Sequence, residues 1–80
     1  MLKPGNLISF QPSHPPSEGL NVISFGTEYV KVKWLLRDTI GLFVKMSPYD
    51  RNRAICLFED QLFLVPITAI QPLGDRNAVS

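Results

Sequence analysis

The sequence predicts a single small all-β domain, a barrel of about five strands. Three observations carry that reading. Side chains alternate at period two over residues 29–36 and 39–46, the pattern of strands rather than helices. No apolar run of helical period and useful length occurs anywhere in the chain. Turn formers such as Pro4-Gly5-Asn6, Gly26-Thr27 and Glu59-Asp60 break the chain at short intervals.

Leu7-Ile8-Ser9-Phe10 follows the first turn and reads as a short opening strand. Residues 11–19 carry Pro12, Pro15 and Pro16. Proline has no N–H for a ladder, so this stretch reads as a long, unpaired first loop. Residues 21–25 form a short strand at most. Residues 29–36 form a clear one, with Val30, Val32, Trp34 and Leu36 on one face and Tyr29, Lys31, Lys33 and Leu35 on the other. In residues 39–46, Ile40, Leu42, Val44 and Met46 alternate against Gly41, Phe43 and Lys45. Residues 53–58 and 61–66 flank Glu59-Asp60 as a tight hairpin, and one short 3-10 turn precedes a last stub at residues 71–73. The domain spans residues 1–73, and residues 74–80 are a polar C-terminal tail. The strand phases predict a core of Val32, Trp34, Leu42, Val44, Cys56, Phe63 and Val65.

Composition narrows the function classes. A hydrophobic fraction of 45% against 19% charged residues belongs to a chain that folds. Net charge is +1, so no global field favours nucleic acid or a membrane surface. One cysteine allows no internal disulfide, and one histidine offers no Cys/His metal cluster. His14 lies in Pro-Ser-His-Pro-Pro, with no orienting partner or nucleophile in that motif. Cys56 sits between Ile55 and Leu57 and reads as a buried small hydrophobe. The scattered glycines make no phosphate cradle, and the acidic residues lack calcium-loop spacing. The expectation is a non-enzyme without cofactor, metal or small-molecule substrate. No segment has the length of a membrane span and no apolar signal core opens the chain. The expected location is the cytoplasm, without export by a signal peptide.

The hairpin is the most informative segment. A two-residue turn at Glu59-Asp60 sets Phe58 against Gln61, Leu57 against Leu62, Cys56 against Phe63, Ile55 against Leu64 and Ala54 against Val65. One face then carries Ala54, Cys56, Phe63 and Val65; the other carries Ile55, Leu57, Leu62 and Leu64. Both are apolar, and a small barrel has one interior. Ile55, Leu57, Leu62 and Leu64, extended by Phe43, are therefore candidate protein-interface residues, for self-association or a partner. The alternative cover is the long stretch from Gln11 to Tyr29 folding back over them. A rival site is basic: Tyr29, Lys31, Lys33, Arg37, Lys45, Arg51 and Arg53 outnumber Asp38 and Asp50 in the same stretch, the raw material of a nucleic-acid surface.

Residues 38–45, Asp-Thr-Ile-Gly-Leu-Phe-Val-Lys, resemble the glycine-centred strand of KOW-type modules, and residues 65–70, Val-Pro-Ile-Thr-Ala-Ile, are similar to the closing segment of SH3 domains. The element order over residues 4–73 resembles an SH3-like barrel, and also short barrel proteins of tailed bacteriophages. In SH3 domains a Tyr of the polyproline groove follows three residues after the proline matching Pro66. Ala69 stands there, and Arg53 and Ala54 stand where a tryptophan is expected. The resemblance thus implies the fold without proline-peptide recognition. It implies a non-catalytic interaction module, a small structural or accessory component of a larger, phage-type assembly, located in the host cytoplasm or a virion. The alternative it implies is a KOW-like nucleic-acid or ribonucleoprotein binder.

Overall fold

A computed structural model of the chain describes residues 2–12, 18–25 and 30–73. The strands are β1 (Leu7–Phe10), β2 (Gly19–Phe25), β3 (Val30–Leu36), β4 (Ile40–Met46), β5 (Arg53–Phe58), β6 (Gln61–Pro66) and β7 (Ile70–Pro72), with a 3-10 turn at Ile67–Ala69. They form one antiparallel sheet in the order β3-β2-β6-β5-β4-β1-β7. The all-β expectation holds. The closed barrel of about five strands does not: the sheet has seven strands and is open, with β3 and β7 at its edges. The difference arises at residues 21–25, read as a short strand: they belong to β2, which begins two residues earlier, pairs with β3 from Gly19↔Leu36 to Phe25↔Val30 and also docks on β6. That places β2 and β3 at one end of the sheet, so β3 and β4, joined by a short turn, pair with different neighbours.

The β5–β6 hairpin has the predicted register, Phe58↔Gln61 through Ala54↔Val65. Glu59 and Asp60 have φ of 51° and 63°, the left-handed pair that a two-residue turn needs to match strand twist. One side of the sheet holds the core, with Ile8, Phe10, Val22, Leu35, Phe43, Cys56, Phe58, Phe63 and Val65 all buried. Phe58 packs edge-on against Phe10 and Phe63, with ring centroids 6.0 and 6.1 Å away, contacts worth about 0.5–1.5 kcal/mol each beyond burial. Gly41 makes room for this. A Cβ there would sit 2.5 Å from the Phe58 ring and against the Leu57 carbonyl.

The turn after β3 is tied to the end of β1. The Asp38 N–H donates to the Phe10 carbonyl at 2.8 Å, and the Phe10 N–H to that of Thr39 at 2.9 Å. Arg37 donates to the Gln11 side chain and the Pro12 carbonyl. The Gln11 N–H closes the other end on the Ala69 carbonyl at 2.6 Å.

The predicted core needs two corrections. Val32 and Trp34 are 69% and 55% exposed, and Leu35 is the buried residue of β3. The phase is set by pairing, not by the local pattern: Val22 is buried and stands opposite Lys33, and Leu20 stands opposite Leu35. Opposed residues in an antiparallel pair share a face. Lys31, Lys33 and Leu35 thus have the inner phase, and the apolar stripe of β3 points outward. In β4, Phe43 is buried while Leu42 and Val44 are only half-buried. Phe43 faces Cys56, and a bulge at Val44 brings Lys45 opposite Ile55, turning the rest of the strand over.

Candidate protein interface

Opposed residues continue from strand to strand on the side away from the core. One row runs Val30, Phe25, Leu62, Leu57, Leu42, Leu7 across β3, β2, β6, β5, β4 and β1. A second runs Val32, Ile23, Leu64, Ile55 and ends at Lys45. Beyond these, Trp34 faces Asn21 and Leu36 faces Gly19. The Trp34 ring lies over Gly19, within 2.8 Å of where a Cβ would stand. No charged residue occurs in either row before Lys45.

Ile55, Leu57, Leu62 and Leu64 share this face as expected, the first two and Leu64 half-buried and Leu62 exposed. Phe43 is corrected. It has the inner phase and is buried in the core, so it contributes nothing to an outer patch. The sequence reading missed Val30, Val32, Trp34 and Leu36, which are more than half exposed. No local signal separates them from a core stripe; their side follows only from the pairing of β2 with β6. Residues 19–25 of the Gln11-to-Tyr29 stretch do not cover the patch. As β2 they lie beside β6 in the plane of the sheet and bring Ile23 and Phe25 to the same face. From these fractional exposures, and some 150–250 Å² per large side chain, Val30, Val32, Trp34, Leu36 and Leu62 leave on the order of 500 Å² of apolar surface in water.

The basic candidates are dispersed. Lys31 and Lys33 have the inner phase on the edge strand β3, where the Lys33 ammonium donates to the Gln61 side chain at 3.0 Å. Lys45 lies on the other face, four strands away. Arg53 pairs with Asp50 at 3.4 Å, and Arg37 is engaged by Gln11 and Pro12. Arg51 is exposed in the turn before β5. Tyr29 and His14 lie outside the described residues, as does the 74–80 tail.

Cys56 is buried, as expected. Burial pushes its thiol up to about 12 from an ordinary 9.0, while a backbone hydrogen bond at Val44 pulls the other way. It is a neutral thiol across the physiological range. An open notch of about 450 Å³ lies between Ser9, Gln11, Asp38, Gln71, Pro72 and Leu73. Within it the Gln11 amide donates to Ser9 Oγ and to the Asp38 carboxylate. Among the described residues no group of three or more His, Cys, Asp or Glu side chains is placed to hold a metal ion. Among them, too, no helix is long and apolar enough to cross a membrane. Comparison with family models, curated proteins and solved structures finds no match to this chain.

Proposed function

We infer that this chain is a non-catalytic protein-interaction module of SH3-like design, a small structural or accessory component of a larger assembly, and that it docks through the outer face of its sheet. One observation carries the reading. Among the described residues β2 extends the β5–β6 face, so the apolar rows run on through Phe25 and Ile23 to the edge strand. Monomeric soluble proteins rarely expose contiguous apolar patches larger than a few hundred Å². Trp34 adds the type of residue that anchors interfaces.

The test substitutes exposed residues of the face, Leu62→Lys and Trp34→Lys. Both variants are expected to keep the β-type circular dichroism of the parent and, at dilutions where the parent does not associate, its thermal midpoint, and to lose its association in sedimentation, whether with itself or with another protein. Unfolding of both variants would place the face in a core and end the reading. So would association equal to the parent's.

A further inference from the structure

Resting on that reading of the outer face, we propose that its occupant is a second copy of this chain, packed sheet on sheet across a two-fold axis centred near Val32, Ile23 and Leu62. The area points this way. Val30, Val32, Trp34, Leu36 and Leu62, with the half-buried Ile23, Phe25, Ile55, Leu57 and Leu64 between them, approach the roughly 800 Å² per partner of a standard stable interface. So does the chemistry. A transient partner surface is about as polar as the rest of a protein, whereas permanent homodimer interfaces are more apolar. The two rows here carry no charge until Lys45 at their rim, and a two-fold contact needs only that the face complement itself.

Another route to a dimer is edge pairing of β3, and its charges oppose it. Antiparallel pairing centred on Val32 sets Lys31 against the partner's Lys33. Pairing centred on Lys33 sets the two Lys33 side chains against each other. Like charges directly opposed destabilise a ladder, and lysine on an edge strand is a common guard against such pairing. Face packing leaves these lysines at the outer edge.

The experiment is sedimentation equilibrium of the full chain over a wide concentration range, at low and high salt, with amide exchange on the same samples. A dimer that persists at high salt is expected. Trp34→Lys and, independently, Leu62→Lys should raise its dissociation constant at least about 30-fold, as loss of an interface anchor does, with circular dichroism unchanged. Exchange of the β3 amides that point away from β2 should not slow on dimerisation, because sheets about 10 Å apart add no backbone hydrogen bonds. A parent that stays monomeric throughout overturns the second copy, while fold-retaining face variants that lose another partner would leave the interaction module standing. A dimer that dissociates with salt, or one that slows exchange of those β3 amides and tolerates Leu62→Lys, equally overturns the proposal.

Discussion

Truncating Leu35 to alanine is expected to cost about 2–5 kcal/mol, the range for a large buried aliphatic residue whose site cannot fully collapse. Leu35 is 1% exposed and shares its cluster with Phe10 and Phe58, so little nearby is free to fill the gap. Val32→Ala, three residues earlier in the same strand, removes methyls that are mostly in water. With about a third of the side chain covered, and a fully buried valine worth about 1.5–3 kcal/mol, its loss is below about 1 kcal/mol. For a domain of this size the two variants then differ in thermal midpoint by on the order of 10 °C. The assay is thermal unfolding followed by circular dichroism, run dilute enough that association adds nothing to Val32. A Val32→Ala loss equal to or larger than that of Leu35→Ala would put β3 in the opposite phase. The outer apolar face would then cease to exist, and every inference built on it would go with it.

Gly41→Ala should destabilise by about 1–3 kcal/mol in the same assay, since the new methyl meets the Phe58 ring and the Leu57 carbonyl; a neutral result would refute the inner phase of β4. Cys56 should resist thiol reagents until the chain unfolds, and rapid native labelling would contradict its burial. With a folded pKa near 12 above the ordinary 9.0, the folded state holds the thiol proton longer than the unfolded one. Stability should therefore be level below pH 9 and fall above it by up to about 1.4 kcal/mol per pH unit. Comparing Cys56→Ala with the parent isolates that slope from the lysines and tyrosines, and equal slopes would refute the shift.

Where local chemistry decides, the sequence was legible. Glu59-Asp60 between two apolar runs specified a two-residue turn, the turn fixed the register, and the register put Ile55, Leu57, Leu62 and Leu64 on one face and Cys56 with Phe63 on the other. The 3-10 turn after Pro66 was readable for the same reason. What failed was side. The alternation in β3 reads correctly as period two, yet nothing in it says which stripe is inward; that depends on β2 docking beside β6, more than thirty residues away in sequence. In β4 the side is again not legible: Leu42 opposite Leu57 is outward and Phe43 opposite Cys56 is buried, and the bulge at Val44 then turns the rest of the strand over. Residues 21–25 were legible as a strand, but Pro12, Pro15 and Pro16 drew the loop out to Gly19 and set the start of β2 two residues late.

These errors of side have a common physical sense. An antiparallel sheet with one dry face ordinarily puts polar residues on the other. Here the lysines of β3 take the inner phase beyond the edge of the core, and valines, leucines and tryptophan take the outer one. Domains are built from packed layers because each apolar face of a sheet must bury itself against something. This chain curls enough of its sheet to bury one face on Phe10, Phe58 and Phe63, and it has no further described segment to lay on the other. Its outer rows have the make-up of the inward face of a β-sandwich, in which a second sheet packs about 10 Å away. A chain of 80 residues has little core to spare, and without disulfides a domain of this size leans on other sources of stability. A second layer supplied by another molecule would meet both needs at once, which ties the stability of this fold to the contact it makes.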